Sequence, residues 1–376
     1  ESNVSQKAIK DNYATQCGFC TPGFVVSFSG LALKNKNGNY NDSLNAISGN
    51  ICRCTGYKSI EKAAYDLSQK LIQKENNIDW LIDNKFIPAY FKGIPEKLKK
   101  ISKIETLLNG TLVAGGTDIY VRNADSLAEK NIRQVVDFDS VKIDINNNFC
   151  KLSANTTVTD LLDNKQFVTF FPGLKSFLKL VSSEPIRNMA TLAGNFVNAS
   201  PIGDMSIFFL ALDSVLEIFN NNGESRELPL KNFFKSYKVF DLKESEVIKS
   251  IFFNLPESFN HFNFEKVSKR THLDIASVNT AIKLKLHHNK ISEAHVSIGG
   301  VAAIPLYLNS TSDFLEGKEL SIETVREAGI IMQSEISPIS DIRGSSAYKQ
   351  LLARQLFYAH FINLFPQIFQ LKNLVA

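Results

Sequence analysis

Four of the five cysteines stand in two short clips, Gln16-Cys17-Gly18-Phe19-Cys20-Thr21-Pro22-Gly23 and Gly49-Asn50-Ile51-Cys52-Arg53-Cys54-Thr55-Gly56-Tyr57. The Cys17/Cys20 spacing lets one tight turn aim two thiolates at one point, and Cys52 and Cys54 form a still shorter pincer that could close a four-sulfur site. This is metal-ligand spacing, and two plainer readings compete with a cluster. Disulfides belong to small exported domains, and nothing here suggests export. Structural zinc usually takes two Cys-x-x-Cys knuckles, which the Cys52-x-Cys54 half is not. Cys150 lies outside the pattern, alternates with strand residues and reads as a buried core thiol.

Two glycine-bearing segments carry the second candidate chemistry. Leu112-Val113-Ala114-Gly115-Gly116-Thr117-Asp118-Ile119 is a buried-strand run that breaks into a Gly-Gly turn. Adjacent glycines let successive backbone N–H groups point into one concavity, an anion nest suited to a pyrophosphate. Alone this is more often a plain turn, and it matches neither G-x-G-x-x-G nor a Walker loop. The second segment runs from Arg187 through Thr191, Gly194 and Asn195 to Ser200, Ile202, Gly203 and Asp204. Its density of small, hydroxyl and amide residues offers donors to a dinucleotide, with Asp204 as an acceptor. Taken alone, Lys266 and Arg270 fit a solvated face equally well, and His272 reads as a loop histidine.

The elements that position these residues follow from periodicity and punctuation. Residues 1–75 read as helical: Thr21 as cap with Pro22 at the first position, Phe24, Val25, Phe28, Leu31 and Ala32 at helical spacing, and Cys20 at the N-terminal, positive end. A further helix starts at Asp42 or Ser43 and ends at Gly49, and Ser59 caps one whose inner face is Ile60, Ala63, Ala64, Leu67 and Leu71. The amide-rich stretch 76–85 reads as a linker. Beyond it, the expectation is a helix over 95–109, strands at 135–138, 151–156, 216–219 and 247–253, and a helix opening at Leu161-Leu162. Later come strands at 282–286 and 294–298 and helices at 322–333 and 345–364, with Asp341 and Arg343 as an ion pair or cap. That mixture is multidomain, α and α+β.

The flanks of the cysteine clips, including Gln16, Gly18, Thr21, Pro22, Gly23, Arg53, Thr55, Gly56 and Tyr57, resemble the second iron–sulfur domain of the molybdenum hydroxylases, the xanthine dehydrogenase and aldehyde oxidase family. A generic zinc clip has no reason to share those residues. The resemblance implies that Cys17, Cys20, Cys52 and Cys54 hold a [2Fe-2S] cluster in a small helical bundle. The two glycine segments resemble the FAD domain of the same family, of the vanillyl-alcohol-oxidase (PCMH) type rather than the Rossmann type. By that resemblance Ala114 to Ile119 wraps the pyrophosphate, and Leu112, Val113, Thr191, Gly194, Asn195, Ser200, Ile202, Gly203 and Asp204 belong to the rest of the FAD site. It also sets Lys266 against the flavin and makes His272 and Leu273 neighbours of its ring, with no certain catalytic residue, since hydride transfer at flavin N5 needs no protein acid. Ala193 stands where the family usually has glycine, a methyl that is tolerable unless the backbone there needs a positive φ.

The resemblance covers nearly the whole chain and divides it into a helical [2Fe-2S] domain (1–75), a linker (76–85), an α+β FAD domain (86–260) and an α+β C-terminal subdomain (261–376). It implies partners: a molybdenum-binding large subunit carrying molybdopterin, which Gln16 faces, a ferredoxin-like [2Fe-2S] domain missing from this sequence and expected either ahead of it in a longer polypeptide or on another chain, and NAD as acceptor, in a hetero-oligomer. The cluster-then-FAD order on one chain favours the xanthine dehydrogenase type of small subunit over carbon monoxide dehydrogenase or hydroxybenzoyl-CoA reductase. Runners-up are a stand-alone flavin oxidase with a structural metal and a non-catalytic zinc module. The +4 net charge is spread along 376 residues without a basic run, which argues against nucleic acid. No export signal or membrane-length apolar run is visible, so a cytoplasmic location is the expectation.

Overall fold

A computed structural model describes residues 2–34, 38–100, 110–135, 141–220, 222–256, 260–270 and 273–374. The chain divides into two compact units, Glu1–Thr106 with Ser183–Ile186, and Leu107–Ser182 with Arg187–Ala376.

The first unit is helical: α1 (Val4–Asp11), α2 (Thr21–Leu33), α3 (Tyr40–Ala46), α4 (Lys58–Leu71), α5 (Ile78–Asp83) and α6 (Ile94–Lys99). Its core joins Phe24, Phe28 and Leu31 of α2 to Ile60, Ala63, Ala64, Leu67 and Leu71 of α4, the face the periodicity anticipates. Each large apolar side chain buried there contributes roughly 1.5–3 kcal/mol.

The helix ends differ from expectation. Thr21 is the first helical residue and Cys20 the cap; the Thr21 hydroxyl instead pairs with that of Thr15 at 2.7 Å. Helix α3 is capped by Asn39, with Asp42 closing the capping box, and stops at Ala46, before Gly49. Helix α4 starts at Lys58, with Tyr57 as its cap in the left-handed region at φ 68°. Helix α5 falls within the stretch read as a linker, and the expected helix over 95–109 is observed only as α6, because 101–109 lie outside the described residues.

The second unit opens with β1 (Thr111–Val113), α7 (Ile119–Ala128) and β2 (Ile132–Gln134), the two strands pairing in parallel. Most of the strand expected at 135–138 lies outside the described residues. Next come β3 (Ile143–Asn146), β4 (Phe149–Ser153), α8 (Val158–Asp163), α9 (Lys165–Phe170), α10 (Leu174–Lys179), α11 (Glu184–Met189, of which 184–186 count with the first unit), α12 (Leu192–Asn198) and α13 (Asp204–Ala211). The strand expected at 151–156 is β4, ending at Ser153, and Thr157, not Leu161, starts α8 through a capping box with Asp160. Five more strands follow: β5 (Val215–Asn220), β6 (Ser225–Pro229), β7 (Phe234–Ser236), β8 (Val239–Phe240) and β9 (Glu246–Asn254). Strands β3, β4, β9, β5 and β6 form, in that order, an antiparallel sheet over the larger apolar core.

A second antiparallel sheet joins β10 (Asn260–Val267), β11 (Val278–His287), β12 (Lys290–Gly299) and β13 (Leu306–Tyr307). It is followed by α14 (Asn309–Leu315), α15 (Ile322–Glu335) and α16 (Ser346–Leu364). Strand β11 is buried continuously from Val278 to Leu284 instead of alternating, because α13 packs on it as well as α16. For the same reason α13, squeezed between elements, is apolar all round, and its first residue, Asp204, is its only charge. Asp341 pairs with Arg343 at 3.6 Å and with Lys349 at 2.8 Å, while Ser345 caps α16. Among the described residues no helix is long and apolar enough to cross a membrane.

Candidate functional site

The two cysteine clips converge. Gly18 at φ 83° turns the first back between its thiols, and Gly56 and Tyr57, both in the left-handed region, fold the second. Cys17 Sγ lies 3.6 Å from Cys54 Sγ, and the Cys20 and Cys52 thiols are within hydrogen-bonding reach of each other. All five cysteines are free thiols.

The four environments are unequal. The Thr55 hydroxyl and N–H hold the Cys52 thiol down at about 7, and the Phe19 N–H lowers that of Cys17. Burial raises Cys20, and the proton shared with Cys17 raises Cys54.

Two thiolates on one tetrahedral metal with bonds near 2.3 Å sit ~3.8 Å apart, which is the spacing of the Cys17/Cys54 pair. Among the described residues no three ligating side chains gather around a single point. The Cys17/Cys54 spacing thus fits two sulfurs on one metal, and the two clips together supply the four thiolates that a [2Fe-2S] cluster takes. Gln16 is exposed beside Cys17.

The second site is a cavity of about 560 Å³, within the usual range for small-molecule sites. Leu112, Val113, Ala114, Gly115, Gly116, Thr117, Asp118 and Ile119 all line it, as do Thr191, Gly194 and Asn195. Two backbone facts bring the segments together. A Cβ on Gly115 would stand 1.7 Å from the Met189 carbonyl oxygen, so only glycine admits that approach, and Gly116 turns at φ 74°. Thr191 caps α12 by accepting from the Gly194 N–H at 3.1 Å. Ala193 also lines the cavity and has no positive φ, so its methyl is accommodated.

Ser200, Ile202, Gly203 and Asp204 do not line this cavity. Asp204 heads α13 and accepts from Lys266 Nζ and Asn279 Nδ2, each at 2.7 Å. Burial pushes its carboxyl up, and the Lys266 ammonium pulls it back. Lys266, its side chain 2% exposed, also donates to the Leu180 carbonyl at 2.7 Å. Asn195 joins this cluster to the cavity by accepting from Ser206 N–H and Oγ at 3.1 Å. Leu273 is exposed at φ 56°. His272 lies outside the described residues.

Sequence reasoning missed a third wall, Phe240, Leu242 and the start of β9 up to Ile248. It carries no glycine or hydroxyl signal; its apolar alternation announces only a strand. Arg226 anchors it with two bonds to Glu246, 2.9 and 2.8 Å, holding that carboxyl down from 4.5 to about 2. A depressed carboxylate contributes stability above its unfolded pKa and loses it as pH falls through the folded one. The stability advantage of wild type over Glu246→Gln, at most about 3 kcal/mol, should therefore be full above pH 5 and close towards pH 2. Urea unfolding across that range checks this, and a gap that does not change with pH refutes it.

A model of the [2Fe-2S] binding domain matches residues 1–65, one of the FAD binding domain in molybdopterin dehydrogenase matches 94–256, and one of the CO dehydrogenase flavoprotein C-terminal domain matches 264–364. Xanthine dehydrogenase 1 of Arabidopsis thaliana is 24% identical over 95% of this chain and 32% of its own length. Aldehyde oxidase 4 of Mus musculus is 22% identical over 96% and 32%, and the glyceraldehyde dehydrogenase medium chain of Sulfolobus acidocaldarius 26% identical over 60% and 79%. The chain spans about a third of the length of the xanthine dehydrogenases it matches. Among solved structures, reconstituted CO dehydrogenase from Oligotropha carboxidovorans superposes with a TM-score of 0.60 at 22% identity, covering 66% of this chain and 87% of that one. Quinoline 2-oxidoreductase from Pseudomonas putida 86 gives 0.57 at 23% identity, covering 67% and 88%. These likenesses are of fold, and agree with the mixed helix-and-sheet, PCMH-type architecture.

Proposed function

We propose that this chain is the electron-transfer flavoprotein part of a xanthine dehydrogenase-like molybdenum hydroxylase, taking electrons from a molybdenum-bearing partner and delivering them to NAD. The observation that carries this is the pairing of a four-thiol convergence with a dinucleotide-sized cavity on one chain, in the domain order of the xanthine dehydrogenases. Cys17, Cys20, Cys52 and Cys54 would hold the [2Fe-2S] cluster. The Gly115–Thr117 turn, Thr191, Gly194 and Asn195, with the Phe240–Ile248 wall, would hold FAD. The cluster supplies single-electron transfer, and FAD the exchange between single electrons and hydride. The chain's own contribution is placement: backbone N–H groups turned to a pyrophosphate, with Lys266, which the family resemblance sets against the flavin, held by Asp204 and the Leu180 carbonyl outside the lining of this cavity. We divide the chain functionally at 1–75, 76–85, 86–260 and 261–376.

A visible spectrum of the purified chain is the test. Flavin bands over a broad iron–sulfur envelope support this reading; flavin alone supports a stand-alone flavin oxidase with a structural metal, and neither supports a zinc module. Anaerobic NADH should then bleach the flavin, and a flavin reducible only by a non-physiological dye would remove NAD as acceptor.

Exposed Gln16 is assigned to the face that meets the molybdenum subunit. Gln16→Ala should lower substrate-to-acceptor turnover of the reconstituted complex by about tenfold or more, the usual scale for losing a group that supports a redox centre, with the spectrum unchanged. Undiminished turnover would remove this role.

A further inference from the structure

We infer that Thr55 tunes the reduction potential of the cluster by donating both its hydroxyl and its backbone N–H to the Cys52 sulfur, an inference that rests on reading the four cysteines as cluster ligands. Thr55 Oγ1 lies 3.1 Å from Cys52 Sγ, and Thr55 N lies 3.4 Å from the same sulfur. The direction of the hydroxyl bond follows from its surroundings. Tyr57 N–H donates to Thr55 Oγ1 at 3.3 Å, occupying a lone pair, and a metal-bound thiolate has no proton to give. The hydroxyl proton therefore points at sulfur.

The turn is held to keep it there. Cys52 N–H donates to Tyr57 Oη at 3.0 Å, so both ends of the 52–57 loop are pinned, and consecutive left-handed residues, Gly56 and Tyr57, fold it back. Among the described hydrogen bonds no other cysteine sulfur receives a side-chain hydroxyl; Cys17 and Cys54 have each other.

One-electron reduction adds a negative charge that the sulfurs share, and donors to sulfur stabilise that state, so they raise the potential. Thr55→Val keeps the shape and the N–H but removes the hydroxyl. At the potential where wild type is half reduced, the reduced-to-oxidised ratio of this variant should be about tenfold lower, a midpoint about 59 mV lower for one electron. Thr55→Ser keeps a hydroxyl and should restore the wild-type midpoint, which a purely packing role for the threonine methyl would not do.

The experiment is an anaerobic dithionite titration, with mediators, of the cluster-loaded chain, read by electron paramagnetic resonance of the reduced cluster. A lower midpoint in Thr55→Val with rescue by Thr55→Ser is the expected result. Equal midpoints in wild type and Thr55→Val overturn the inference while leaving the ligand assignment intact. Wild type that holds no iron sinks the ligand reading itself. Should the valine variant lose iron, Thr55→Ala takes its place; loss from both, with Thr55→Ser intact, would make the hydroxyl part of the fold rather than a tuning group and also overturn the inference.

Discussion

Cys52→Ser should abolish the iron–sulfur absorbance and most of the bound iron, whereas Cys150→Ser should leave both unchanged. The contrast follows from where the two thiols sit. Cys52 receives the Thr55 hydroxyl and N–H, which favour its thiolate and hold it down at about 7. A thiolate is the form that ligates metal. Cys150 lies in β4 opposite Ile145 on one side and Phe253 on the other, fully buried in the large apolar core, where burial pushes its thiol up to about 12. It stays protonated at neutral pH and has no second thiol near it. Serine at position 52 keeps the volume but offers a hydroxyl that does not ionise at neutral pH, so one of four ligands is lost. Iron quantitation and the visible spectrum read the outcome directly. Iron kept in Cys52→Ser but lost in Cys150→Ser would reverse the assignment of ligands.

The parts of both sites that were legible in the sequence are those whose chemistry needs a particular residue type at a fixed spacing. The Cys17/Cys20 and Cys52/Cys54 clips and the Gly115-Gly116 turn belong here, because thiolate ligation and close backbone approach admit almost no substitutes. The capping residues were less legible. Thr21 has the right side chain to cap α2 but is already helical, and its hydroxyl pairs with Thr15 instead. Tyr57 caps α4 from a left-handed conformation that tyrosine rarely adopts, and propensity gives no hint of it; the bond from Cys52 N–H to its hydroxyl fixes it there. The third cavity wall was not legible at all. Ile248 reaches the cavity because β9 runs in the centre of the five-stranded sheet beside β4, a neighbour about a hundred residues away in the chain, and Phe240 of β8 and Leu242 line it just ahead of that strand. Periodicity reports which face of a strand is apolar, not whether that face meets core or ligand. Asp204 shows the converse: its residue type suggested a cofactor contact, and its described partners are Lys266 and Asn279, outside the cavity.

Gly115→Ala should remove FAD binding while leaving the helical unit and its iron unaffected. The new Cβ would lie 1.7 Å from the Met189 carbonyl oxygen and 2.6 Å from the Met189 carbonyl carbon. Both are backbone atoms, so no side-chain rotation relieves the overlap and the two segments must separate. The turn at Gly115 and the residues just after Met189, Ala190 and Thr191, are facing parts of the cavity lining. Their separation both opens the cavity and tilts the N–H groups of the Gly115–Thr117 turn away from one focus. Overpacking of this kind costs about 3 kcal/mol, which is on the order of a hundredfold in affinity if it falls on the bound state. The expected result is a colourless or nearly flavin-free preparation whose thermal midpoint no longer rises when FAD is added, since only a ligand that binds the folded form raises it. Gly30→Ala is the matching control. A Cβ there meets nothing within 4 Å, and the position is inside α2, so FAD binding should be untouched and stability slightly raised. Circular dichroism separates a folded apoprotein from a misfolded one. A folded Gly115→Ala variant that binds FAD as tightly as wild type would mean that the Gly-Gly turn does not cradle the cofactor, and the cavity would need another occupant.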